Sequence, residues 1–196
     1  MDEPMDIARS ELILGGQKSG KSRRAELLAL SWLARSPAHQ AVLIATAQPW
    51  DEEMRERIAR HQQDRAERVP GMRTVEEPVH LAEALARCSQ PQTLVVVDCL
   101  TLWLTNLLMP VENHEQDKPR ALDSRAQIDM VLSAIENAQG PVVLVGNEIG
   151  LGVIPLGRET RAFVDALGLL NQSVAQVCER ATLMVAGLPL TLKGRP

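Results

Sequence analysis

Leu12-Ile13-Leu14-Gly15-Gly16-Gln17-Lys18-Ser19-Gly20-Lys21-Ser22 is a short apolar run that breaks into glycine and completes the pattern G-x-x-x-x-G-K-[ST]. Glycines let the backbone turn tightly enough for successive N–H groups to surround phosphate oxygens. The closing lysine reaches the β- and γ-phosphates, and the serine hydroxyl ligates Mg²⁺. At average residue frequencies the full pattern arises by chance in on the order of 1% of chains this long. Its context adds weight, because the run before it reads as a strand and residues 21–33 read as an amphipathic helix. Phosphates would then sit at a helix N-terminus. A nucleoside triphosphate site over Gly15, Gly16, Gln17, Lys18, Ser19, Gly20, Lys21 and Ser22 is the expectation.

Outward from this stretch, short apolar runs alternate with longer amphipathic ones. Strands are expected at residues 11–16, 41–47, 73–77, 93–99, 141–148, 181–187 and 190–193, and helices at 21–33, 51–65, 79–87, 101–108, 124–137 and 159–180. Runs such as Leu94-Val95-Val96-Val97 are apolar without alternation, which means burial on both faces in a parallel sheet covered by helices. The alternation reads as a doubly wound α/β sheet. Only Leu188-Pro189 separates the last two strands, too little for a crossover helix, so they should pair antiparallel at an edge. Residues 1–10 read as an acidic, proline-containing tail and residues 11–196 as a single domain; the polar, proline-bracketed stretch 110–120 reads as a loop whose composition is compatible with disorder.

Composition narrows the function classes. The chain has 196 residues, 45% apolar and 23% charged, the profile of an ordinary globular protein rather than a disordered or collagen-like one. Aromatics are only 2% and the formal charge is -4, so both the stacking platforms and the basic face of a nucleic-acid binder are missing. No apolar run approaches the ~18 residues of a membrane span, and the N-terminus lacks the charge and apolar stretch of a signal peptide. Three widely spaced cysteines, Cys88, Cys99 and Cys178, fit reduced thiols. The expectation is a cytoplasmic enzyme.

Two further signals bear on chemistry. Leu94-Val95-Val96-Val97-Asp98 is an apolar strand ending in a carboxylate that could hold Mg²⁺, although alone it is equally a strand-terminal Asp capping the next helix. The charged helix 51–65 places Arg57, His61 and Arg65 on one face at i, i+4 spacing. Two guanidinium groups beside an imidazole favour its neutral, nucleophilic form and would grip a phosphate. By spacing alone the first reading is a solvated helix with a surface histidine, and the nucleotidyl acceptor is second. His39, His80 and His114 read as structural or solvated.

Taken together, these blocks resemble the bifunctional adenosylcobinamide kinase / adenosylcobinamide-phosphate guanylyltransferase family of cobalamin biosynthesis. The resemblance runs from Leu12 to Lys193. The cradle is similar to the family's Gly-Gly-x-x-Ser-Gly-Lys-Ser, and Ile44-Ala45-Thr46-Ala47 to its second strand. Asp51-Glu52-Glu53-Met54 through Arg57, Ile58, His61 and Arg65 is similar to its guanylylation helix. Asp98-Cys99-Leu100-Thr101-Leu102-Trp103-Leu104-Thr105-Asn106-Leu107 and Asn147-Glu148-Ile149-Gly150-Leu151-Gly152-Val153-Ile154-Pro155 are close to two further blocks.

The resemblance implies a P-loop NTPase fold with a RecA-like, mostly parallel sheet, assembled as a homotrimer. It implies two reactions: an NTP, ATP or GTP, phosphorylates the aminopropanol hydroxyl of adenosylcobinamide, and GTP then donates GMP through a guanylyl-histidine to give adenosylcobinamide-GDP and pyrophosphate. His61 would carry GMP and Lys21 would act in transfer. Guanosine-nucleotide contacts would fall on Ala45, Thr46, Ala47, Gln62, Gln63, Asp64, Arg65, Glu76 and Asp98, with Mg²⁺ held by Ser22 and Asp98. The chain departs from the family pattern at Gln17-Lys18, which replace Ala-Arg, and at Val164 and Leu169, where arginines are usual. The loop 147–155 reads as a substrate loop or a tight turn, and Trp103 as packing rather than a corrin-stacking surface. Two rivals remain: another P-loop small-metabolite kinase without the guanylyl step, and a RecA-like nucleotide switch with a DNA or protein partner.

Overall fold

The computed structural model describes residues 5–109, 121–152 and 155–195, with side chains omitted at 121–123. The expected loop at 110–120, His114 within it, and Val153-Ile154 of the 147–155 block lie outside the described residues.

The chain runs β1 (Ser10–Gly15), α1 (Lys21–Arg35), β2 (Gln40–Ala45), α2 (Glu52–Arg68), β3 (Arg73–Glu76), α3 (Leu81–Cys88), β4 (Thr93–Asp98), α4 (Leu100–Leu108), α5 (Ala121–Glu136), β5 (Val142–Val145), α6 (Arg158–Val177), β6 (Arg180–Val185) and β7 (Leu188–Lys193). Seven strands form one sheet in the order β3-β2-β4-β5-β1-β6-β7. All neighbours are parallel except β6 and β7. The α/β, doubly wound, mostly parallel sheet with an antiparallel C-terminal edge is as expected.

Alternation along each strand explains the two covered faces. Leu12 and Leu14 of β1, with Val95 and Val97 of β4, join a core with α3, α4 and α6. Ile13, Leu94 and Val96 point the other way, onto Ala25, Leu28 and Ala29 of α1. Leu94, Val95 and Val97 are fully buried, and each such side chain contributes roughly 1.5–3 kcal/mol relative to exposure. Trp103 is likewise fully buried and donates its indole N–H to the Val79 carbonyl at 2.8 Å, so it packs the core. His39 stacks on Trp32 with ring centroids 3.8 Å apart.

Several boundaries differ from expectation; the strand expected at 141–148, for example, is only Val142–Val145, and three others bear on the architecture. The final hairpin turns at Ala186-Gly187, not at Leu188-Pro189. Both turn residues have positive φ, 51° and 81°, which gives the twist a two-residue hairpin requires. Pro189 instead pairs with Met184 inside the edge strand, where a missing N–H is tolerated. The last helix stops at Val177 because Arg180 joins the sheet, its guanidinium donating to Glu11 at 3.3 Å. Finally, α2 extends to Arg68. The described part of the tail is tied down: Arg180 and Asp6 pair, and Arg35 donates to the Met5 carbonyl at 2.7 Å.

Candidate active site

The glycine stretch after β1 is conformationally demanding. At Gly15, φ is +153°, and a Cβ would lie 2.5 Å from Ser19 Oγ and 2.6 Å from the Met184 carbonyl. Gly20, with φ +103°, is the N-cap of α1. Lys18 also takes a left-handed conformation, φ 55°, unusual outside glycine. Ser19 N–H donates to the Gly16 carbonyl at 3.3 Å, while the Ser19 carbonyl accepts from Gly187 N–H at 3.0 Å, so the C-terminal hairpin braces the loop. Gly16, Gln17 and Lys18 are exposed along its rim.

Lys21 folds back into this loop. Its ammonium donates to the Gly16 carbonyl at 2.6 Å, and the residue is 8% exposed. Burial pulls its pKa below the ordinary lysine value, opposed by the negative charge that Cys99 and Asp98 can carry nearby. Ser19 Oγ is buried with no partner, a polar atom left for a ligand to satisfy. This is the geometry of an anion cradle at a helix N-terminus.

Ser22 on α1 donates to Asp98 Oδ2 at the end of β4, 3.0 Å away. No group of three or more His, Cys, Asp or Glu suited to a metal exists among the described residues. One hydroxyl and one carboxylate are nevertheless hard oxygen donors, the set that suits a Mg²⁺ held mainly by phosphates and water. Behind Asp98, the buried Thr46 hydroxyl accepts from Cys99 N–H at 2.9 Å and donates to the Cys99 carbonyl at 2.7 Å. Asn106 donates to the Thr46 carbonyl at 2.8 Å. The Thr46 side chain is thus engaged in fixing the turn after Asp98, whereas Ala45 and Ala47 on either side are half-buried at the C-terminal end of β2. Burial pushes the Cys99 thiol up to about 11, so it is no nucleophile.

Helix α2 starts at an Asp51 cap, whose Oδ1 accepts from Met54 N–H at 2.7 Å, and buries none of its residues. Arg57 and His61 are exposed. Arg65, one turn beyond His61, is half-buried and lines a small crevice with Ser22, Glu26, Val96 and Asp98. Burial pulls its pKa below the ordinary arginine value, against the opposing charges of Asp98 and Glu26. Gln62 donates to Glu76 of β3 at 3.3 Å; Gln63 instead donates along the helix to Glu67, at 3.4 Å. Asp64 accepts from Arg68, also at 3.4 Å. The fold therefore gathers the cradle, Lys21, Ser22, Asp98 and Arg65, and separately Gln62 with Glu76. His61 stands at the exposed surface one turn away.

The 147–155 block, whose sequence reads as a substrate loop or a tight turn, is held beside the cradle. Asn147 N–H donates to Thr101 Oγ1 at 2.9 Å, and Glu148 N–H to the Gly15 carbonyl at 3.1 Å. The buried Asn171 amide reaches the Asn147 carbonyl at 3.1 Å. The block is legible as a motif, but its pairing with Thr101, Gly15 and Asn171 is not, because these contacts join residues far apart in sequence.

A family model described as cobinamide kinase / cobinamide phosphate guanyltransferase matches residues 11–192. The chain is 48% identical to the bifunctional adenosylcobalamin biosynthesis protein CobP of Pseudomonas aeruginosa, over 95% of this chain and 98% of that one. It is 36% identical to the corresponding CobU protein of Escherichia coli, over 93% and 98%. In fold, it is similar to the flagellar accessory protein FlaH of Methanocaldococcus jannaschii (TM-score 0.51, 11% identity, 96% of this chain and 80% of that one). It is also similar to PH0250 of Pyrococcus horikoshii (TM-score 0.53, 11% identity, 98% and 90%).

Proposed function

The chain belongs to the cobinamide kinase / cobinamide phosphate guanyltransferase family of bifunctional enzymes, and from that premise we propose how its own residues divide the two reactions. An NTP, ATP or GTP, phosphorylates the aminopropanol hydroxyl of adenosylcobinamide. GTP then guanylylates His61 with release of pyrophosphate, and the GMP passes from the histidine to the phosphate of the phosphorylated corrinoid, giving adenosylcobinamide-GDP and free imidazole. The observation that carries this reading is that Arg65, one helical turn from His61, lines the same crevice as Ser22 and Asp98. A phosphate seated on the cradle and a nucleotidyl acceptor on α2 then share one region.

In the kinase step the loop N–H groups and Lys21 bind the phosphates and offset the charge that builds on them during transfer. Ser22 and Asp98 would hold Mg²⁺, which when bound neutralises phosphate charge. In the guanylyl step, attack by the His61 imidazole on the α-phosphorus splits one difficult displacement into two easier ones. Arg65 is within reach of the phosphates from the same helix. Gln62, Gln63, Asp64, Glu76 and Ala45 to Ala47 would contact the guanosine nucleotide.

A homotrimer, the assembly the family resemblance implies, would be free to cover Leu151, Leu156 and Leu169, exposed at 78%, 96% and 64%. Three buried free cysteines support a reducing, cytoplasmic setting, and no described helix is long and apolar enough to cross a membrane. Incubation with adenosylcobinamide, Mg²⁺ and GTP, followed by mass spectrometry of the corrinoid, tests the scheme. One added phosphate followed by one added GMP is expected. A product that stops at the phosphate would reduce the chain to a plain metabolite kinase.

A further inference from the structure

A phosphoryl transfer to an alcohol leaves one proton to be placed, and the cradle residues place none: Lys21 is a cation and Asp98 is engaged by Ser22. Burial keeps the Cys99 thiol protonated, at about 11. Other carboxylates at this end of the sheet are remote or committed. Glu76 accepts from Gln62, and Glu77 accepts from the N–H groups of Val79 and His80. Both follow from β3, four strand spacings from β1, about 19 Å.

Glu148 is different. It leaves the sheet from β5, the strand between the cradle strand β1 and the Asp98 strand β4. Its N–H donates to the Gly15 carbonyl at 3.1 Å, so its backbone touches the first residue of the cradle. Among the described residues it joins no ion pair. Its Oε2 receives one long bond, 3.5 Å, from the Asn171 amide, and its Oε1 lies over Gly150, 3.5 Å from where a Cβ would be. Asn171 is 4% exposed, and its own Oδ1 has no partner. A buried amide thus aims a half-buried, otherwise unpaired carboxylate beside the phosphate loop.

We propose that Glu148 is the general base of the kinase step, with Asn171 as its positioning residue. The Glu148 carboxylate accepts the proton of the attacking corrinoid hydroxyl as the new O–P bond forms and the bond from the γ-phosphorus to its bridging oxygen breaks. The nucleoside diphosphate leaves with that electron pair, and the proton passes from Glu148 to solvent. Electrostatics separates this role from phosphate binding, because a carboxylate next to a triphosphate repels it and cannot be there to raise nucleotide affinity.

The inference rests on the kinase half of the proposed function. Its test compares wild type with Glu148→Gln and Glu148→Asp in corrinoid phosphorylation, with nucleotide affinity measured in parallel. Glu148→Gln should lower kcat on the order of 100-fold, leave KM for the corrinoid within about threefold, and bind nucleotide as tightly as wild type or more tightly. Glu148→Asp, which keeps a base on a shorter stem, should retain more turnover than Glu148→Gln. A kcat for Glu148→Gln within about threefold of wild type overturns the assignment. So does a loss of turnover matched by an equal loss of nucleotide affinity, which would make Glu148 a scaffold for the cradle. If wild type itself does not phosphorylate the corrinoid, the kinase reading fails and this inference with it.

Discussion

Lys21 shows how function and stability pull apart at a single residue. Its ammonium is buried against the Gly16 carbonyl, and that burial disfavours its charged form. Lys21→Met should therefore leave the thermal midpoint unchanged or raised, while kinase turnover falls on the order of 10²–10³-fold. Calorimetry and steady-state assays check both, and a midpoint lowered by more than about 5 °C would make Lys21 structural instead. The thiols give a second residue-scale expectation. Burial pushes Cys99 up to about 11 and Cys178 up to about 12, above the ordinary thiol value of about 8.5. Above about pH 9 the unfolded chain loses these protons first, so the folded state holds more of them and stability falls as pH rises. Below that pH the two thiols contribute no slope. Denaturation midpoints at about pH 8 and about pH 10 should show the drop.

At the scale of elements, α2 stands apart. It buries no residue along its 17, and it is anchored mainly at its C-terminal end, where Val69 is buried and Arg68 pairs with Glu26 at 3.4 Å. Its amide protons should exchange well before those of α1 or α4 in hydrogen exchange, apart from its last turn. Uniform protection equal to α1 would contradict this. The sequence announced α2 as a solvated helix through its charge density, and announced β4 as a buried strand through Leu94-Val95-Val96-Val97, because both signals are local. The sequence points to Leu188-Pro189 as the closing turn because proline favours turns. Here it sits on an edge strand, where its missing N–H has no cost, and Ala186-Gly187 takes the turn.

For the whole molecule, a buried ionic network ties the cradle helix to the sheet. Glu11, 1% exposed, accepts from Arg24 of α1 at 2.8 Å, from Thr182 of β6 at 2.9 Å and from Arg180 at 3.3 Å. Glu11→Ala would strand the Arg24 guanidinium and leave the buried Arg180 with Asp6 as its remaining carboxylate, and should cost about 3–5 kcal/mol, a fall in melting temperature on the order of 10 °C. The cradle and the apolar strand ending at Asp98 are legible from contiguous patterns. This network, the Thr46 clamp on Cys99 and the Asn171 contact to Glu148 are not, since each joins residues distant in sequence and none has a motif. The central claim is that the C-terminal end of one sheet serves both a phosphate cradle and a nucleotidyl-accepting histidine on α2. It is tested most directly by incubating the protein with Mg²⁺ and GTP radiolabelled at the α-phosphate and resolving it on a denaturing gel, beside His61→Asn. The account predicts an acid-labile, base-stable label on the wild-type chain and none on the variant. Label retained by His61→Asn, or no label on wild-type protein that binds GTP, would contradict it.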